Sequence, residues 1–292
     1  MRNHLARAAR TLPALLLVLA LIPSAAAVTP PEDKPKPEEV IARHLASVGS
    51  AEDLAALKSL VAIGAAKAYA RTGVGREFKG VGQFASQGDR VLFALLFDSN
   101  LFPFEKAGYN GESLTVAQLP DGHRSALGDF MMSHGAPFKQ GLIGGVLSTA
   151  WPLRAAGADA PRLSYAGTDK VEGRKAHKLR YDPRKSGGLQ ITLFFDAETF
   201  RHVRTEYQIS IAARMGRTAE MSVSQLESRY RVLEDFSDFR PQGKLTLPHS
   251  YRLSYTIEEQ NATRMLEWSV AFTQFAFNEQ IDDKAFSVLA SK

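Results

Sequence analysis

Residues 251–277 read YRLSYTIEEQNATRMLEWSVAFTQFAF, and their period is two. Tyr251, Leu253, Tyr255 and Ile257 fall on one side of an extended chain, and Arg252, Ser254, Thr256 and Glu258 on the other. That is a strand with one dry face and one wet face. The next run puts Leu266, Trp268, Val270 and Phe272 in phase, then shifts to Phe275 and Phe277. One extra residue at Thr273 or Gln274, a β-bulge, accounts for the shift and bends the strand. Long, bent antiparallel strands curl a sheet into a barrel or half-barrel.

Outward from this pair, the tract from Arg162 to the C-terminus is punctuated by Glu172-Gly173, Asp182-Pro183 through Gly188, Asp196–Thr199 and Pro241-Gln242-Gly243. Each is turn chemistry between apolar runs. Leu189, Ile191, Leu193 and Phe195 share one face of a strand in that tract. On the N-terminal side, residues 59–71, 76–87 and 90–97 read as strands diluted with glycine and alanine, with Gly73 and Gly75 in a hairpin turn. Asn110-Gly111 reads as a two-residue turn between strands 102–109 and 112–119. Ahead of them, Val40, Ile41, Leu45 and Val48 lie on one face of a helix from Glu38 to Val48, bounded by Pro37 and Gly49. Ser50 with Asp53 makes a capping box for a short helical turn through Leu57.

The two strand tracts flank a segment of another kind, FMMSHGAPFKQGLIGGVLSTAWPL, residues 130–153. Phe138, Leu142, Ile143, Val146, Leu147, Ala150 and Trp151 recur at helical spacing with a wide apolar stripe. Gly135-Ala136-Pro137 separates them from a helical piece at 129–134, which predicts a helical hairpin. Gly141, Gly144 and Gly145 each cost roughly 1 kcal/mol against alanine inside a helix, so the hairpin needs an apolar surface, the concave face of the sheet. Two readings stand side by side: a plug completing an ordinary core, or a movable lid over a ligand cavity.

The first 27 residues carry three arginines, an apolar run from Leu12 to Ile22 and Ala25 and Ala27 at A-x-A spacing, the pattern of a secretory signal peptide. Residues 28–37 form a proline-rich linker, and 38–292 a single domain. Loss of Arg2, Arg7 and Arg10 with the signal lowers the formal charge from +5 to +2, and nothing points to nucleic acid. Cysteine is absent, which excludes disulfides, thiolate metal sites and a cysteine nucleophile.

Catalytic motifs are missing too. There is no H-E-x-x-H, no G-x-S-x-G, and the TGVGREFKG stretch lacks the third Rossmann glycine and the Lys-Ser/Thr of a phosphate loop. His177 and His249 stand alone in strands, and Asp235 and Asp238 read as flanking the turn before Gly243. No metal, cofactor or enzymatic activity is expected.

The phrases EEVIARHLASVGSAEDLAALKSL, GLIGGVLSTAWPL, VEGRKAHKLRYDP, LFFDAET, FSDFRPQGKLTLPHSYRLSYT and FNEQIDDKAF stand in an order that resembles the LolA-like outer-membrane lipoprotein-sorting proteins, over about residues 38–286. The resemblance implies a mainly β fold with some α: a large curved antiparallel sheet forming an unclosed half-barrel, with an N-terminal helix and a helical lid at about 124–153 over its concave face. It implies a periplasmic carrier of acyl chains of lipids or lipoproteins, a monomer handing cargo between inner- and outer-membrane partners. The alternative is a sensor of the same fold that reports lipoprotein or lipid to a membrane-bound regulator. Relatives often have a glycine where this chain has Phe200. Family carriers latch their helices with a strand arginine, but no local motif singles one out among Arg71, Arg76, Arg90 and Arg180, so the resemblance transfers no functional residue. The expected cavity is Leu189, Ile191, Leu193, Phe195, Tyr251, Leu253, Tyr255, Leu266, Trp268 and Val270; the expected lid contacts are Phe138, Leu142, Val146 and Trp151.

Overall fold

The alternating runs become twelve strands of one antiparallel sheet, in a computed structural model that describes residues 34–71, 76–155, 161–183, 187–212, 227–259 and 262–288. The signal segment, the spacer up to Asp33 and the Gly73–Gly75 turn lie outside the described residues. In chain order the strands are β1 (Ser59–Arg71), β2 (Arg76–Gln87), β3 (Arg90–Phe97), β4 (Phe104–Tyr109), β5 (Leu114–Val116), β6 (Arg162–Val171), β7 (Arg174–Asp182), β8 (Gln190–Asp196), β9 (His202–Ile211), β10 (Ser228–Gln242), β11 (Leu245–Glu259) and β12 (Ala262–Phe277). Their spatial order is β5-β4-β3-β2-β1-β12-β11-β10-β9-β8-β7-β6. Two meanders are thus joined by the pairing of β1 with β12, and the sheet is not closed.

The bulge expected in β12 is present. Ile63 of β1 faces Gln274 while Gly64 faces Phe272, which leaves Thr273 as the extra residue. A Cβ placed on Gly82 of β2 would lie 2.6 Å from a methyl of Val270 on β12, two strands away, and 3.3 Å from Leu95 on β3. The small residues of β1 and β2 let the sheet bend until side chains from non-adjacent strands meet over Gly82. The Asn110-Gly111 turn is longer than expected: Asn110 Oδ1 accepts the amide protons of Glu112 and Ser113, and β5 begins only at Leu114. An Asx-type turn has taken residues assigned to strand.

Four helices are short: α1 (Pro37–Val48), α2 (Ala51–Ala56), α3 (Ala126–Ser133) and α4 (Ala136–Lys139). Ser50 caps α2 as predicted, accepting the Asp53 amide at 3.0 Å. Because β5 and β6 are the two opposite free edges, the chain between them has to cross from one edge to the other. It crosses on the concave face, with α3 against β4 and β5 and the later residues against β1, β9 and β11.

The crossing segment forms only the first arm of the predicted helical hairpin, as α3. Beyond the four residues of α4 it runs through isolated turns, with 3-10 geometry only at Gly145–Leu147 and Pro152–Arg154. Gly141 and Gly144 have φ of +70° and +83°, which a helix does not allow. A Cβ on Gly141 would meet the carbonyl oxygen of Ala150 at 2.3 Å, so glycine here permits the chain to fold back on itself. The apolar spacing is real, but it reflects burial on nearly all sides.

Candidate functional site

Every residue of the expected cavity set lies in the main core. Leu189, Ile191, Leu193, Phe195, Tyr251, Leu253, Tyr255, Trp268 and Val270 are buried, and Leu266, near one end of β12, is half-buried. Phe138, Leu142, Val146 and Trp151 of the crossing segment are buried in the same cluster. The concave face is therefore filled by the chain's own side chains. The slot between α3, α4 and strands β9–β11, lined by Phe130, Met131, Phe138, Tyr207, Val232 and Leu253 among others, has a volume of about 10 Å³, room for one water at most. A second gap beside Trp151 and Leu245, also about 10 Å³, is no larger.

Polar ties fasten the filling to the sheet, and carboxylates make two of them. Glu234 of β10 is fully buried and accepts the Gly144 amide at 2.8 Å, the Tyr207 hydroxyl at 2.7 Å and the Tyr251 hydroxyl at 2.9 Å. Burial pushes its pKa up to about 7 in spite of those donors, with Asp235 adding a smaller upward push. Glu105 of β4 accepts the Ser125 hydroxyl at 2.5 Å, and Ser125 in turn caps α3 through the Gly128 amide. Its other oxygen has no partner among the described residues, and burial pushes its pKa up to about 8. A neutral carboxyl suits both positions, since an ionised one would sit uncompensated in the core.

Three further ties hold the later part of the segment. Ser86 Oγ accepts the Thr149 amide at 2.8 Å, and Tyr181 donates its hydroxyl to Gln140 at 2.8 Å. The Trp151 indole donates to His44 Nε2 at 3.2 Å. With Nε2 accepting, His44 carries its proton on Nδ1 and donates it to the Phe200 carbonyl at 3.1 Å. This neutral imidazole is satisfied at both nitrogens, and desolvation lowers its pKa to about 4. His202 lies against Trp151 with ring centroids 4.8 Å apart; it meets Thr205 through Nε2 and has no hydrogen-bond partner at Nδ1 among the described residues.

Of these residues the sequence singled out Tyr251 and Trp151, as members of apolar faces; Glu234, Glu105, His44 and His202 were not singled out. A signal existed: Glu234 stands in phase with Val232 and Phe236, an acid at a core-facing strand position. Arg90 pairs with Asp283 and lies over the Phe286 ring, 5.1 Å from its centroid, among residues that pack on the other face of the sheet. Arg76 and Arg180 are exposed, and the side chain of Arg71 lies outside the described residues. His177 meets Tyr165 and stacks on Phe200, and His249 faces the Leu247 carbonyl and Phe275. Asp235 is not a turn residue: it lies within β10, ion-paired with Arg204 at 2.6 Å and Arg252 at 3.1 Å. Asp238 has φ +54° in the same strand, where the pairing with β11 skips from Ser237 to Phe239. No group of His, Asp or Glu among the described residues has the arrangement to hold a metal ion.

The chain is similar, at low identity, to several solved structures. One is an outer-membrane lipoprotein-sorting protein domain from Vibrio parahaemolyticus, with 11% identity, 85% of this chain and 95% of that one covered, and a TM-score of 0.43. Another is a LolA superfamily protein from Nitrosomonas europaea, with 12% identity, 87% and 98% covered and a TM-score of 0.43. A DUF1329 family protein from Desulfovibrio piger follows, with 8% identity, 85% and 95% covered and a TM-score of 0.33. No family model matches the chain, and no curated protein matches it. Among the described residues no helix is long and apolar enough to cross a membrane.

Proposed function

We propose that this chain is a periplasmic carrier that takes up acyl chains of lipids or lipoproteins on its concave face, in exchange for part of its own crossing segment. The observation that carries the reading is the nature of the filling. The oily lining of the half-barrel is covered by a glycine-broken stretch that joins the two free edges and has little regular structure of its own. Such a stretch gains its order from the surface it covers, so a competing apolar ligand can take its place.

The energies are of similar size. Burying a sixteen-carbon chain is worth about 12 kcal/mol at roughly 0.8 kcal/mol per methylene, before the costs of ordering. Four buried side chains such as Phe138, Leu142, Leu147 and Trp151 contribute about 1.5–3 kcal/mol each, or about 6–12 kcal/mol together. Near-balance of this kind lets cargo be both accepted and released. The reading assigns no covalent step. The signal-like N-terminal sequence supports export, and the phrases that resemble LolA-like proteins support the cargo class.

The test is a reversible lock. A Cβ on Gly128 of α3 would lie 3.0 Å from Val116 Cγ1 on β5, so V116C/G128C places two thiols within disulfide reach in a chain with no other cysteine. Binding of a fluorescent fatty acid is expected to be lost in the oxidised variant and to return on reduction. Undiminished binding by the oxidised form would overturn the exchange.

A further inference from the structure

We propose that the carried amphiphile has an anionic, phosphate-bearing headgroup, and that this headgroup sits in the cleft lined by Lys139, Arg154 and Arg162 while the tails take the slot beneath α3 and α4. The inference rests on the carrier reading and names its substrate class.

The cleft has a volume of about 1310 Å³ and is bounded by the crossing segment, the β2–β3 turn and the ends of β6 and β7. Arg154 is partly buried there. Its guanidinium donates to the carbonyls of Thr149, at 3.0 Å, and Leu54, and among the described residues it has no carboxylate partner. Lys139 and Arg162 are exposed in the same cleft, likewise without an ion pair among the described residues. Two carboxylates line it as well, Asp89 and Asp182, the latter directly opposite Arg162 in the pairing of β6 with β7. The balance is one positive charge. Its least compensated member is Arg154, whose two bonds to carbonyls position the guanidinium and leave its charge unanswered.

The cleft also adjoins the apolar slot. Phe138 and Lys139 are consecutive residues of α4, and the first lines the slot while the second lines the cleft. Gln140 follows, holding the Tyr181 hydroxyl at the boundary. An amphiphile with tails beneath α4 therefore has its polar end beside three cations. A tetrahedral phosphate can offer oxygens to several separated cations at once, whereas a planar carboxylate is best matched by a single arginine fork.

The experiment compares phosphatidylglycerol with diacylglycerol of identical acyl chains, both delivered from cyclodextrin to the full chain without its signal segment. Phosphatidylglycerol is expected to bind about tenfold tighter, a difference of about 1.4 kcal/mol, and K139Q/R162Q is expected to bring it down to the diacylglycerol level with the unfolding midpoint unchanged. Equal binding of the two lipids by the unaltered chain would overturn the headgroup site and leave the carrier standing. Binding of neither would overturn both. Titration of inorganic phosphate into lipid-free protein separates the remaining source: phosphate binding lost in K139Q/R162Q, without any preference between the two lipids, would make the cleft a small-anion site unrelated to cargo.

Discussion

Glu234 accepts the backbone amide of Gly144 at 2.8 Å, a bond from the middle of the sheet to the middle of the segment that crosses it. The acceptor is a buried acid whose pKa lies near 7, and a second such acid, Glu105 near 8, holds the start of α3 through Ser125. The filled state therefore binds protons that an opened or unfolded chain releases. Stability from these two groups is full below about pH 4.5 and is lost as pH rises through 7 and 8. His44 and His202 act in the opposite sense, since burial lowers both. Their contribution is lost as pH falls from 6.5 through about 4. Between about pH 4.5 and 6.5 the slopes oppose each other, and above 6.5 only the acids remain. Urea unfolding is expected to give a shallow profile up to about pH 6.5 and a fall from there to pH 8, with E234Q reducing the fall. A profile that rises above pH 6.5 would contradict the neutral assignment of these carboxyls.

The Trp151 indole and His44 are the tie between the segment and α1. Trp151→Phe keeps most of the ring but removes the donor, leaving His44 Nε2 buried and unanswered. The expected cost is about 1–3 kcal/mol in denaturant unfolding. A cost near zero would mean that water reaches this nitrogen.

How much of this was legible in the sequence follows the range of the interactions. The strand alternation at Tyr251–Ile257, the bulge at Thr273 and the turn at Glu172-Gly173 are local, set by phase and by the backbone each residue allows. The crossing segment is not local. Phe138, Leu142, Val146 and Trp151 are apolar because strands from both meanders surround them, and their helical spacing competes with glycines that have positive φ. The ties to the filling were hidden for the same reason, because the partners of Glu234 and His44 lie 90 and 107 residues away in sequence. The expected cavity residues were found as a face of the sheet, but sequence could not show that the face is already covered.

The filling itself can be probed by comparing two glycines of similar positive φ. Gly88 has φ +62° and would place a Cβ in open space, whereas Gly141 has φ +70° and would place one 2.3 Å from the Ala150 carbonyl oxygen. Gly88→Ala is expected to cost about 1 kcal/mol, the left-handed penalty alone. Gly141→Ala adds a backbone collision, so it should cost clearly more and loosen the segment, read as faster hydrogen exchange at 140–154. Equal costs would show that the segment yields freely.

Phe200 offers the sharpest reversal of an ordinary rule. It has φ +58°, and it holds that conformation because its ring is buried between His177, stacked at 5.4 Å, and the Arg43 guanidinium, 3.9 Å from its centroid. Packing offsets backbone strain of the order of 1–3 kcal/mol. Phe200→Ala loses the packing and keeps the strain, while Phe200→Gly loses the packing and removes it. Glycine normally destabilises relative to alanine; here F200G is expected to be the more stable of the two by about 1 kcal/mol, both remaining below the unaltered chain. Thermal or urea unfolding of the pair decides it. If F200A proves the more stable, the left-handed backbone at Phe200 belongs to the phenyl ring's packing and relaxes when the ring is removed, and the tie that its carbonyl makes to His44 should weaken with it.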